Sequence, residues 1–257
     1  DHQVYLNNNR QQNASQYDGV VLQPFAEALK EPDTKKMIVI HLLGAHRKYD
    51  YRYPENFETF VDNTNLPHRV SENNLEEYNS YDNAVLYNDY VVTELIENLR
   101  KNNNKALLVY LSDHGEEVFD YVEKPFCGRN EDAPTPAMYT VPFMAWASPE
   151  WKKSGHAQQW HAYTDRPFTS SDLIYTLPDM IGLSFDGMDS TRSLVSESFV
   201  SRQRWIGNPN RPKTLTDYDN IAHSSTGAPS KTSVFNRDNL VKRKQQGTPT
   251  PTVKLTF

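Results

Sequence analysis

Apolar and polar positions along the chain follow two alternating periods, and together they outline a fold. From about Ser15 to Lys30, Tyr17, Val21, Phe25 and Leu29 recur at four-residue steps, which predicts an amphipathic helix despite Pro24. The next run, "KKMIVIHLL" from Lys35 to Leu43, is β-branched and of strand length. A polar connection rich in Tyr and Asn follows, over roughly residues 44–74. The stretch "EEYNSYDNAVLYNDYVVTELIENLRK" then puts Tyr78, Tyr81, Val85, Val92, Leu95, Ile96 and Leu99 on one broad face, a long helix. Two more apolar runs, Lys105–Leu111 and Thr140–Trp146, read as buried strands. A last helix is expected over Ser170–Ile181, with Thr169 or Ser170 as N-cap and Gly182 just past its end. Apolar strands alternating with amphipathic helices predict an α/β fold, a mainly parallel sheet sandwiched between helices. Beyond Trp205 the pattern dissolves. Residues 206–257 form a polar tail, expected to wrap the surface or stay disordered, with a short edge strand conceivable over Thr252–Phe257.

Composition narrows the function more than the fold. The 257 residues suffice for a substantial core, although only 37% are hydrophobic. A net charge of −6, with no basic block beyond Lys242-Arg243-Lys244, argues against nucleic acid as a partner. No stretch approaches the roughly 18–20 apolar residues that span a bilayer, and no signal peptide is recognisable. Cys127 is the single cysteine, so no internal disulfide can form. The chain lacks a Gly-x-Ser-x-Gly elbow, a phosphate-binding Gly-x-x-x-x-Gly-Lys loop, a Gly-x-Gly-x-x-Gly turn and a His-Glu-x-x-His helix.

The candidate chemistry lies where strands end, since loops converge there in α/β sheets. One strand runs out in "LSDHGEE" and another in "HLLGAHRKYDYRYP". Asp113 and His114 offer a hard oxygen and an imidazole nitrogen, a mixture suited to zinc. Neighbours in a strand face opposite ways, so both reach one ion only if the strand breaks, and Gly115 allows that. Asp-His-Gly is equally an ordinary acidic turn, and the residues alone leave both readings open. His46 heads the companion turn. His41, inside an apolar run, reads as a core-packed or hydrogen-bonded histidine; His2, His68, His156, His161 and His223 read as surface. Cys127 reads as a small, partly buried residue, with a thiolate ligand as the alternative. Glu116 and Glu117 are left as supporting or surface acids, and the tyrosines of "KYDYRYP" as rings that line a substrate groove.

The stretches "YLSDHGEEVFD", "HLLGAHRKYDYRYP", "YNSYDNAVLYNDYVV", "GRNEDAPTPAMYTVPF" and "RQRWIGNP" resemble the catalytic domain of bacterial phosphoethanolamine transferases. These belong to the alkaline-phosphatase/sulfatase superfamily, and the likeness is to the branch acting on heptose phosphate of the lipopolysaccharide core. It covers about Tyr5–Pro209. The resemblance implies that residues 1–205 are a partial catalytic domain lacking its first βα unit. It also implies a place at the periplasmic face of the inner membrane, through an N-terminal anchor outside this sequence. Asp113 and His114 match zinc ligands, and His46 matches a position near the transferred phosphate. Cys127 stands before Gly128 where relatives acting on lipid A carry histidine, which makes it a phosphate contact or a thiolate; Ser171 likewise replaces a common histidine. The implied reaction has two half-steps. A zinc-activated threonine takes phosphoethanolamine from phosphatidylethanolamine, and a phosphorylated sugar of the core, or lipid A, then accepts it. In the family that threonine and an acidic zinc ligand precede the matched segment, so the 257 residues are expected to be inactive alone. The same scaffold hosts sulfatases, phosphoglycerol transferases and phosphodiesterases, and a non-catalytic binding domain is the reading from a different class.

Overall fold

The four-residue stripe near the start is helical. A 3-10 turn over Asp18–Val21 leads into α1, Leu22–Lys30, with Val21 and Phe25 buried along one edge. The structure, a computed structural model, describes residues 2–6, 13–64, 66–67, 70–102, 105–121, 125–155, 157 and 159–224. Helix α2 spans Leu75–Lys101, with Glu76 and Glu77 in its first turn and Arg100 and Lys101 in its last, each complementing the helix dipole. Strand β1, Leu107–Leu111, is followed by the two-residue strands β2, Glu117–Val118, and β3, Cys127–Gly128. Next come α3, Pro136–Tyr139, β4, Phe143–Ala147, α4, Pro149–Lys152, and α5, Leu173–Met180. Strands β5, Trp205–Ile206, and β6, Thr216–Asp217, precede α6, Tyr218–Ser224. Two compact units divide this chain: residues 2–102 with 117–128, and 105–116 with 129–224.

In the first unit α2 supplies the core. Val91, Val92, Leu95, Ile96 and Leu99 are buried along it, and complete burial of such a side chain contributes about 1.5–3 kcal/mol. Toward its N-terminal half the buried positions turn polar. Asn83 accepts hydrogen bonds at Oδ1 from the Thr59 and Phe60 amides, both at 2.9 Å, and its Nδ2 donates to Phe60 O at 3.0 Å. Asn79 donates to Asp62 O at 3.0 Å. The polar connection before α2 is therefore anchored by two asparagines one helical turn apart. Its rings pack inward as well: Tyr49 and Tyr53 are buried, and Tyr49 meets Tyr81 edge-on at 5.1 Å. The expectation that the tyrosines of "KYDYRYP" line a groove is corrected for these two.

In the second unit β1 and β4 pair antiparallel, from Leu107 opposite Ala147 to Leu111 opposite Phe143. The α/β class stands, but parallel pairing is not found: the ladders among the described residues are three antiparallel pairs, β1–β4, β2–β3 and β5–β6. The run expected as a strand over Lys35–Leu43 carries no strand pairing, Met37 is 84% and Val39 79% exposed, and His41 is exposed rather than packed. Apolar patterning reports a preference for burial; it does not supply the neighbouring strand whose N–H and C=O groups a parallel ladder requires. The start of the polar tail is folded. β6 pairs with β5, Arg204 and Asp219 form an ion pair, and Arg211 reaches Asp132 at 3.1 Å. Residues 225–257, with the edge strand expected over Thr252–Phe257, lie outside the described residues, as do His68 and His156.

Asn83→Ala strips three backbone groups of a buried partner, so it is expected to cost about 2–4 kcal/mol in urea unfolding of the 257-residue chain. A loss under about 0.5 kcal/mol would mean the 59–60 segment is not held by this side chain.

Candidate functional site

Past Leu111 the chain leaves the β1–β4 ladder and tightens into a turn held by its own polar groups. Ser112 Oγ donates to His114 O at 2.7 Å, and the His114 amide donates to Asp113 Oδ1 at 3.0 Å. The Gly115 amide then donates to Met138 O at 3.0 Å, tying the turn to α3. A Cβ on Gly115 would stand 2.1 Å from Ala137 O and 2.9 Å from Thr140 O. The glycine is required because another stretch of backbone occupies the space of its side chain. That stretch is closed by Thr140, whose Oγ1 donates to Pro136 O at 2.8 Å and lies 2.7 Å from the Tyr218 hydroxyl.

The pair suits a metal as half of a site. His114 Nδ1 lies 3.0 Å from Gly115 O, and since a carbonyl only accepts, Nδ1 carries the proton and Nε2 keeps its lone pair. Metal-bound histidines characteristically commit their other nitrogen in this way. His114 Nε2 is 3.8 Å from Asp113 Oδ1, and donors on one tetrahedral zinc with bonds of about 2.0–2.2 Å sit roughly 3.3–3.6 Å apart. Asp113 is 86% exposed, so a small rotation of its carboxylate closes the difference. Among the described residues no group of three or more His, Cys, Asp or Glu is gathered for an ion.

The turn bearing His46 belongs to the first unit and is held differently. Gly44 sits at φ +59°, and the His46 amide donates to Leu43 O at 3.2 Å. Asp18 takes two successive amides of this turn: Oδ1 accepts from Leu43 N at 3.0 Å and Oδ2 from Gly44 N at 2.6 Å. Arg52, 2% exposed, takes the carbonyls that follow. Its Nε donates to His46 O at 3.2 Å, Nη2 to Arg47 O at 3.3 Å, and Nη1 to Ala14 O and Tyr51 O at 3.3 and 3.4 Å. The His46 ring lies over the same acceptor, Nδ1 being 3.3 Å from Arg47 O. Burial pushes the Asp18 carboxyl above the usual range, and the two amides, Arg52 and His41 pull it only part of the way back. Burial likewise lowers Arg52, against the attraction of Asp18 and Asp50. The sequence reading missed both residues. Asp18 has the look of an ordinary acid in a first helical turn, and Arg52 hides among the rings of "YRYP".

Cys127 lies in the core of the first unit, its Sγ 3.4 Å from the Tyr49 hydroxyl and its carbonyl accepting from Arg47 Nη1 at 3.0 Å. Beside it Gly128, at φ +116°, leaves room for that guanidinium, which a Cβ would approach to 2.7 Å. Glu117 is corrected from surface acid to core. It is 1% exposed, pairs with Gly128 in the β2–β3 ladder, and accepts the Asp120 amide at 2.8 Å. Ser171 is exposed and within 3.4 Å of Thr169 Oγ1.

Two histidine turns at the ends of apolar runs, one with adjoining oxygen and nitrogen donors, invite comparison with known proteins. The sulfatase family model matches residues 2–183. The chain belongs to the sulfatase family. It is 48% identical over 224 residues to phosphoethanolamine transferase EptC of Escherichia coli K12, covering 87% of this chain and 39% of that protein. It is 47% identical to phosphoethanolamine transferase CptA of Salmonella typhimurium, over the same shares of the two chains. The crystal structure of the C-terminal periplasmic domain of Escherichia coli EptC in complex with Zn superposes with a TM-score of 0.83 and 46% identity. That match covers 90% of this chain and 64% of the other. The chain thus spans about two-fifths of the length of these relatives.

Gly115→Ala is expected to lower stability by about 1–3 kcal/mol, because a carbonyl must move to admit the methyl. An unchanged thermal midpoint would show that the approach at Ala137 O is looser than described. A second expectation concerns pH. The folded chain binds the Asp18 proton more readily than the unfolded chain, whose carboxyl has the ordinary value of 3.8. The Asp18 contribution is therefore fully present below that value and is lost as pH rises through the raised folded-state value. Measured by urea unfolding from about pH 3.5 to 7, wild-type stability relative to Asp18→Asn is expected to fall as pH rises. A rise would mean that the amide bonds outweigh burial.

Proposed function

We propose that this chain is the catalytic part of a periplasmic phosphoethanolamine transferase that moves phosphoethanolamine from phosphatidylethanolamine to a phosphorylated sugar of the lipopolysaccharide core or lipid A. The observation that carries the reading is the Asp113–His114 turn at the end of β1. There one carboxylate and one imidazole with its Nδ1 already engaged sit 3.8 Å apart, in a chain 48% identical to a named phosphoethanolamine transferase. Asp113 and His114 would hold zinc. When bound, zinc lowers the pKa of an attacking hydroxyl, here a threonine's, and offsets charge developing on the phosphoryl group. His46, with Nδ1 facing Arg47 O, would keep its Nε2 lone pair as the acceptor for a hydroxyl proton. The neighbouring residue, Arg47, has a half-exposed guanidinium that faces Glu77 at 3.9 Å and donates to Cys127 O at 3.0 Å. Cys127, buried against Tyr49, acts through the carbonyl that fixes Arg47.

The test uses the full-length protein with fluorescent phosphatidylethanolamine and a phosphorylated core acceptor. Wild type is expected to carry stoichiometric zinc, release diacylglycerol and label the acceptor. Asp113→Ala and His114→Ala are each expected to lose zinc and to slow transfer by more than about 100-fold. Full zinc content in both variants would sink the ligand assignment. Free phosphoethanolamine with no labelled acceptor would identify a hydrolase on the same scaffold instead.

A further inference from the structure

The turn that carries His46 is gripped on both sides by charges with no part in the reaction described above, the half-buried Asp18 and the buried Arg52. Asp18 accepts its incoming amides, Leu43 N and Gly44 N, while Arg52 donates to its outgoing carbonyls, His46 O and Arg47 O. The second of these carbonyls is also the acceptor facing the His46 ring at Nδ1. A carbonyl oxygen has two lone pairs, so Arg47 O can take Arg52 Nη2–H and His46 Nδ1–H together.

We propose that Asp18 and Arg52 are positioning residues that fix His46 as its Nδ1–H tautomer, leaving Nε2 with the lone pair that takes up a proton in the reaction proposed above. Arg52 does this through a peptide: by fixing the Arg47 carbonyl it fixes the acceptor that selects the tautomer. Asp18 fixes the other end of the turn, so that the His46 backbone cannot rotate the ring off that acceptor. Lysine at position 52 keeps the charge but not the planar fork, and it cannot serve Nε and Nη2 directions at once. The charged and titratable groups facing the pair are His41, Asp50 and Tyr87 in addition to the partners themselves. The catalytic importance of His46 rests on the function proposed above; its tautomer does not.

The decisive measurement is a long-range proton–nitrogen NMR spectrum of the 257-residue chain labelled with 15N-histidine, at about pH 8 where an ordinary imidazole is neutral. His46→Gln identifies the His46 signals. Wild type is expected to show His46 protonated at Nδ1, and Arg52→Lys to shift it toward the Nε2–H form that an unconstrained histidine side chain prefers. An Nε2–H signal in wild type overturns the proposal, whether or not any variant folds. So does an unchanged Nδ1–H signal in an Arg52→Lys chain whose circular dichroism is native. Asp18→Asn, which loosens the amide side only, is expected to give a mixture of forms; a pure Nδ1–H signal removes Asp18 from the device. In the full-length protein, Arg52→Lys is expected to lower kcat by about 10–100-fold with donor KM within about twofold. An unchanged kcat overturns the catalytic half of the proposal. A wild type without any transfer activity instead counts against the function, and the tautomer result stands apart from it.

Discussion

At Gly115 two stretches of backbone approach more closely than any side chain allows, and the candidate metal turn depends on that contact. The β1–β4 ladder ends at Leu111 opposite Phe143, and the residues that leave β1 pack against those that lead into β4. They do so by laying the Gly115 amide on Met138 O while the Ala137 and Thr140 carbonyls fill the space of the missing Cβ. A buried amide without an acceptor costs about 1–3 kcal/mol, so the Met138 bond and the absence of a side chain are one requirement seen from two sides. Asp113 and His114 are the residues left at the apex once that requirement is met. Their mutual hydrogen bonding follows from the tightness of the turn, and so does the commitment of His114 Nδ1 to a carbonyl.

The turn at His46 solves the same problem by charge. No backbone crowds Gly44, whose nearest neighbour to an added Cβ would be Asn88 Nδ2 at 3.7 Å. Its amides and carbonyls are satisfied by a half-buried carboxylate and a buried guanidinium. Removing such groups from water is expensive, and mutual attraction alone seldom offsets it. Here each ion also makes several hydrogen bonds to peptide groups that have few other partners, and bonds to charged groups are about twice as strong as neutral ones. The upward shift of Asp18 shows that burial still outweighs those bonds for the carboxylate taken alone. The free energy is recovered in the order of the turn, from Leu43 to Arg47, rather than in the acid itself.

Much of the framework was legible in the chain because it depends on local period. The four-step stripe of Val21 and Phe25 and the long helix ending in Arg100 and Lys101 report burial of one face. The apolar runs at 107–111 and 143–147 form strands that are half-buried apart from Ala147, rather than buried as expected. What failed depends on partners remote in sequence. The run at 37–43 has the composition of an inner strand, yet strand pairing needs a neighbour that composition does not contain. Asn79 and Asn83 stand out in no periodic pattern, although each is consumed by the backbone of the preceding loop. Asp18 reaches Leu43 across 25 residues, and no short motif encodes that distance. Asp113 and His114 were visible because the relevant geometry is between neighbours.

The contrast has a physical basis that separates two kinds of polar residue. A group that meets an ion or a phosphate must remain accessible, and Asp113 and the ring of His114 do so. A group that orders backbone for that purpose is most effective where water cannot compete, and Arg52, Glu117 and Asn83 are almost wholly buried. Accessible donors occur as adjacent letters at strand ends and are readily seen. Buried organisers are scattered, chemically unremarkable and recognisable only once their peptide partners are known. Under the function proposed above, changes at Asp113 would act on the ligand and largely spare the fold, because almost nothing packs on an exposed carboxylate. Under the same proposal, changes at Asp18 or Arg52 act on the turn first and reach the chemistry through it, so stability and activity should move together there and apart at Asp113.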